Sequence, residues 1–301
     1  MRNVLMLVTL AALWGGSFLF LRVASPVLGP FVTVVLRVSI AAATLILISI
    51  VSRRPLDLRR HWRAFLVMGL LNSAIPFSLI SAAEVNLSAS FGSILNASTT
   101  FFTALVAALW LHEPLTRAKI AGIVIGMLGV VVLVGWDPAP LTLTTILSVG
   151  AVLIATLSYG LAAVFARTAI KGIASYDFAV GQQLAATVLI FPFALLSAPA
   201  VQLPPPSVIV AILGLGILST AFAYLLYFRL IANLGPTPAL SVTFLIPVFG
   251  ILWGRLFLGE SISANLLAGL AIILVGMTLV LQVRLPLSRI RSAHTKAVTQ
   301  A

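Results

Sequence analysis

Residues 69–86 read GLLNSAIPFSLISAAEVN and residues 216–233 read GILSTAFAYLLYFRLIAN. The two stretches are one pattern written twice. A shift of 147 lays residues 64–134 on 211–281 without a gap, and 17 of the 71 pairs are identical. The abundance of Leu and Ala accounts for part of that agreement. Rarer residues carry the rest: Gly69 pairs with Gly216, Asn86 with Asn233, Glu113 with Glu260, Gly122 with Gly269, and Gly129 with Gly276. A shift of 145 aligns the earlier portion, pairing Gly15 with Gly160, Phe20 with Phe165, and Arg22 with Arg167. The chain is therefore a duplication, and its period is too long for a solenoid of short repeats.

Outward from that repeat, apolar runs of about 20 residues recur along the chain, each long enough for a bilayer core of ~30 Å. Of 301 residues, 61% are hydrophobic and 8% charged, far below the roughly 25% that a soluble surface uses. Ten spans follow, near 4–21, 31–51, 64–83, 87–109, 117–135, 142–165, 178–198, 207–231, 237–257 and 263–283. The expected fold is all-α and membrane-integral, with a first unit over 1–137, a second over 138–283 and a basic tail over 284–301. Five spans per unit is an odd number, so the second copy enters the membrane from the opposite face. Such inverted repeats suit alternating access to a site near the midplane.

Charge placement points the same way. Fifteen Lys and Arg, among them Arg2, Arg53, Arg54, Arg117, Lys119, Arg167 and Lys171, fall on the side of the N-terminus, against Arg22 and Arg255 on the other. By the positive-inside rule both termini are expected in the cytoplasm, in the cell inner membrane for a bacterial chain. This distribution also removes nucleic acid as the reason for the net charge of +12. The first apolar stretch behind Arg2 is too long for a signal peptide core and carries the repeat, so it is expected to remain as a helix. Helix ends are expected at Pro26 with Gly29-Pro30, Asp137-Pro138, Pro204-Pro205-Pro206 and Gly235-Pro236.

Functional candidates are the polar, aromatic and charged positions inside spans. Trp14 lies in Trp14-Gly15-Gly16-Ser17-Phe18, where small residues permit close helix approach and the indole N–H seeks a partner. Its two readings are helix packing and a cavity wall. Arg37 lies deep in the second span, where a charge marks either a functional site or a cation satisfied by backbone carbonyls or snorkelling. As a site it suits a carboxylate. Phe77 and Tyr224, and Asn96 and Thr243, are equivalent under the 147 shift and are expected to form matching walls, joined by Ser81, Thr100, Tyr159 and Gln182. Pro247 lies inside the ninth span and is expected to kink it; its counterpart is Thr100. Glu113 and Glu260 each precede a Gly-containing helix and are expected to complement that helix's N-terminus. The other carboxylates, Glu84, Asp137, Asp57 and Asp177, are expected in connectors.

No catalytic set emerges. The chain has no Cys, and His61, His112 and His294 fall in connectors or the tail, so neither a metal nor a cofactor is expected. An intramembrane enzyme lacks its paired aspartates.

With these residues in hand, the chain resembles the EamA-type transporters of the drug/metabolite transporter superfamily over residues 4–283. The resemblance is carried by Trp14-Gly15-Gly16-Ser17-Phe18, Arg37, and Glu113 with Gly122 and Gly129, and in the second half by Pro247, Glu260, Gly269 and Gly276. It implies ten helices, cytoplasmic termini and a central cavity, with export of amino acids or other metabolites known for many bacterial members. Thr100 departs from the pattern, because only the second half carries the proline. The expected function is transport of a small organic metabolite, an amino acid or aromatic compound, by alternating access. The alternatives are an exchanger of anions resembling nucleotide-sugar carriers, or a membrane scaffold or lipid flippase. The expected partners are a small-molecule substrate and the lipid bilayer, with the oligomeric state left open.

Overall fold

The computed structural model describes residues 2–135, 142–169, 172–197, 203–234, 239 and 241–282. Asp137-Pro138, Lys171, Gly235-Pro236 and the tail from Arg284 lie outside the described residues, as does the boundary at 137/138. The helical runs are α1 (Arg2–Leu28), α2 (Pro30–Val51), α3 (Trp62–Ala83), α4 (Ala89–Leu111), α5 (Arg117–Gly135), α6 (Leu143–Ala169), α7 (Ser175–Ser197), α8 (Pro206–Leu234), α9 (Val242–Leu258) and α10 (Ala264–Leu281). Nine are long and apolar enough to cross a membrane, and α9 is a shorter apolar helix among the described residues. Leu47, Val51, Leu109, Val131, Leu196 and Leu256 are exposed on the outside of the bundle, which is the surface lipid tails would solvate.

One expected helix end moves. Pro26 lies inside α1, and the helix stops at Gly29, whose φ of 76° is open to a residue without a Cβ. Pro30 then starts α2 at a position that needs no N–H.

Between helices that both lie in lipid there is no water to expel, so association rests on close packing. Glycines supply the seams. A Cβ on Gly15 of α1 would fall 2.6 Å from Phe249 Cβ and 2.9 Å from Gly250 N of α9. Its equivalent Gly160 of α6 faces Phe102 and Thr103 of α4, which are the equivalents of Phe249 and Gly250. Gly69 of α3 packs on Gln182 and Ala185 of α7, and Gly216 of α8 packs on Arg37 and Ile40 of α2. Gly122 of α5 and Gly276 of α10 meet backbone to backbone. Each seam thus recurs under the shifts of 145 and 147. Each also joins a helix of the first repeat to one of the second, and so do all the most extensive helix contacts. The repeats interlock rather than forming two side-by-side units.

Backbone irregularities obey the same symmetry. α3 is π-helical over Leu70–Ala74 and α8 over Gly214–Phe222. α4 and α9 end in the left-handed residues His112 and Gly259, after which Glu113 N donates to Ala107 O at 3.4 Å and Glu260 N to Gly254 O at 3.2 Å.

Candidate functional site

The π-helical turns and a break in α4 at Ala97–Ser98 meet at one depth of the bundle. Non-helical backbone at membrane depth is tolerated where protein or a wet cavity covers it. Here it borders a cavity of about 240 Å³. Asn72 and Ser219 enter it from the two π-helical turns, and Asn96, Thr99 and Thr100 from either side of the break.

Of the candidates, Trp14, Arg37, Phe77, Asn96, Thr100, Tyr159, Tyr224, Thr243 and Pro247 line this cavity together. Two do not. Ser81 is fully buried against α1, its Oγ 2.7 Å from Ser25 Oγ and within 3.4 Å of Pro30 O. Gln182 lies behind the wall, where its Oε1 accepts from Asn72 Nδ2 at 3.1 Å. Helix rotation, which the hydropathy pattern leaves open, turned both away.

Asn72 and Ser219 were missed by the sequence reading, although they are equivalent under the 147 shift and precede Phe77 and Tyr224 by five residues. That pairing was the available signal. Asn72 Nδ2 also donates to the Tyr224 hydroxyl at 3.0 Å, so Asn72 ties α3 to both α7 and α8 at the cavity. Tyr224→Phe removes one of its two acceptors and should cost about 1 kcal/mol. Thermal unfolding in detergent, compared with the wild type, measures it.

Arg37 is the cavity's one cation among the described residues. Its side chain is 5% exposed, its Nε donates to Thr220 Oγ1 at 2.9 Å, and its guanidinium carbon lies 3.7 Å over the Phe77 ring. Thr220 in turn donates to Leu215 O at 2.7 Å, a bond spanning five residues within the π-helical turn. The ion pairs among the described residues belong to Glu113, with Arg167 at 2.7 Å and Lys119 at 3.8 Å. Among the described residues, therefore, no carboxylate neutralises Arg37. Trp14 and Tyr227 pack at 5.3 Å between centroids on the far wall, and Tyr224 stacks on Phe228. The site offers one cation, several amides and hydroxyls, and aromatic faces.

Glu113 and Glu260 are not where their own following helices begin. Glu113 pairs with Arg167 of α6 across the repeats. The Glu260 carboxylate accepts from Ala89 N at 2.7 Å, Ser90 N at 3.0 Å and the Ser90 hydroxyl, at the N-terminus of α4. The left-handed turn at Gly259 directs it to a helix of the other repeat. Among the described residues no group of three His, Cys, Asp or Glu side chains is placed to hold a metal ion.

A bundle of membrane-length helices around a cavity bordered by irregular backbone is the architecture of multi-pass membrane transporters. The model of the EamA-like transporter family matches residues 1–135 and 146–282, and the chain belongs to that family, within the drug/metabolite transporter superfamily. It is 24% identical over 274 residues to the uncharacterized transporter YoaV of Bacillus subtilis, covering 90% of this chain and 94% of that one. It is 24% identical over 224 residues to protein PecM of Dickeya dadantii, covering 74% and 75%. A solved crystal structure superposes with a TM-score of 0.67 at 21% identity, over 92% of this chain and 96% of the other, which establishes the fold.

Proposed function

We propose that the chain moves an amino-acid-sized zwitterion or organic anion by alternating access, from a cavity in which Arg37 holds the carboxylate. The observation that carries this is the buried, unneutralised guanidinium. A buried charge without a counter-charge costs several kcal/mol, and an arriving carboxylate relieves that cost with bidentate geometry. The amides of Asn72 and Asn96 suit an ammonium or hydroxyl group, and the aromatic walls suit an apolar side chain. The cavity volume of about 240 Å³ lies below the ~300 Å³ at which pockets for drug-sized ligands begin, which favours a small metabolite over a nucleotide sugar. A single Arg also argues against a diphosphate.

The two interlocked halves, divided near 137/138, would exchange conformations to open the site to each side in turn. Both termini are assigned to the cytoplasm of the inner membrane because Arg53, Arg54, Arg59, Arg60 and Arg63 share the end of the bundle that carries the N-terminus. Export is the direction we propose for the chain. Reconstitution in liposomes with counterflow of labelled amino acids and small organic acids tests the reading. Accumulation of at least one carboxylate-bearing solute is expected, and no movement across the whole panel would sink it.

A further inference from the structure

Glu84 follows directly on α3, at the end of the bundle opposite the N-terminus, and the sequence pattern places it in a connector. It does lie in the connector between α3 and α4, yet it is completely buried there, and neither carboxyl oxygen has a hydrogen-bond partner. Its Oε1 occupies the space that a Cβ on Gly92 of α4 would need. The same position lies 3.4 Å from Phe18 Cδ1, and Phe18 lines the cavity, as does the next residue of α4, Ser93. The carboxyl group thus packs against the first turns of α4, beside a residue of the cavity wall.

The surrounding charges do not neutralise it. From α1, Arg22 Nη1 donates to the backbone carbonyls of Glu84 and Val85, at 2.7 Å and 2.6 Å, not to the carboxyl group. From the α9–α10 connector comes a second acid, Glu260, which clamps Ala89 and Ser90 of α4. Arg255 of α9 donates to the Glu260 backbone carbonyl at 3.3 Å. The polar groups of α4 and α6 near this end are engaged elsewhere: the Ser90 hydroxyl donates to Glu260, and Asn86 Nδ2 donates to Ser148 Oγ. Burial pushes the Glu84 carboxyl well above the usual carboxylate range, and the nearby Glu260 charge raises it further while Arg22 opposes both.

We propose that Glu84 is a proton-binding site whose occupancy closes this end of the cavity. The proposal rests on the alternating-access reading above. An ionised carboxylate with no donor in this packed seam is strongly unfavourable, so the closed arrangement accepts only the neutral acid. Closing takes one proton from water at this end onto a Glu84 oxygen. Opening separates α4 from the α9–α10 connector, admits water, and returns that proton as Glu84 ionises beside Arg22. The sign follows: the closed state binds more protons than the open one, so low pH favours closure, and closure is lost as pH rises through the closed-state pKa.

The chain has no Cys, so Val85→Cys and Ile262→Cys place two spin labels across the seam at exposed positions. Pulsed EPR distances on the reconstituted full chain, between about pH 5 and about pH 9, bracket the range into which a buried carboxyl is moved. The expected result is a short distance at low pH giving way to a longer one at high pH. Glu84→Gln should hold the short distance throughout. Arg22→Gln, which removes the opposing cation, should raise the midpoint, and this second variant keeps the test open if Glu84→Gln does not fold. Two distances whose proportion ignores pH, a transition that Glu84→Gln leaves unchanged, or an unmoved midpoint in Arg22→Gln would each overturn the proton site while leaving alternating access standing. A single distance at every pH would remove both.

Discussion

Gly276→Leu separates α5 from α10 and is expected to be the most destabilising single change in the bundle. A Cβ at Gly276 would lie 2.6 Å from Gly122 O, 2.7 Å from Gly126 N and 2.8 Å from Gly126 Cα. All three are backbone atoms, so no side chain can swing aside and one helix has to move. Overpacking a well-filled interior costs about 1–3 kcal/mol even where side chains can adjust, and this site sits at or above the top of that range. The seam is also the most extensive helix contact in the molecule, so its loss is shared by both repeats. Gly150→Leu is the control. It too replaces a helical glycine in a span, but nothing lies within 4 Å of its Cβ position, and it should be neutral. Unfolding in detergent should show a large drop for the first and none for the second. Equal behaviour of the two would mean that the glycine seams do not hold the helices together.

Arg37→Met should abolish transport without loss of stability. If Arg37 were a structural cation, its removal would cost the bond to Thr220 and the contact with Phe77. Those interactions serve a charge that no carboxylate among the described residues neutralises, and replacing such a charge by an apolar side chain of similar length is often neutral or stabilising. Binding of a carboxylate-bearing solute is a different matter. Truncating one partner of a buried charge pair costs about 2–5 kcal/mol, a loss of at least ~30-fold in apparent affinity. Counterflow of the carboxylate-bearing solute that the wild type carries measures this. Unfolding in detergent decides between the readings: a protein that loses transport and stability together assigns Arg37 to the scaffold.

Particular residues show how far the sequence reached. Ten spans and a duplication were legible because lipid demands long apolar runs and because glycine seams fix rare residues at equal spacing. Phe77 with Tyr224 and Asn96 with Thr243 were legible as facing walls by the same symmetry, and all four line the cavity. Ser81 and Gln182 were candidates only as polar positions inside spans, and they lie behind the wall, because spacing along a helix says nothing about its rotation in the bundle. Glu84 does lie in a connector, as the sequence suggests, but its burial was not legible, for a related reason. A carboxylate next to the end of an apolar run is ordinarily solvated, and only the packing of the α3–α4 connector against Gly92 and Phe18 covers it.

By itself the sequence determined that this protein is an all-α membrane protein built as two copies of one unit. Both facts are local: hydropathy is read within one helix, and the repeat by laying the chain on itself. Only the tertiary structure decided that the copies interlock, with every main seam joining one repeat to the other, and that Glu260 grips α4 rather than its own following helix. Those are choices of partner among helices of nearly equal apolarity. In lipid such choices are set by which backbones can approach most closely, and hydrophobicity does not encode that.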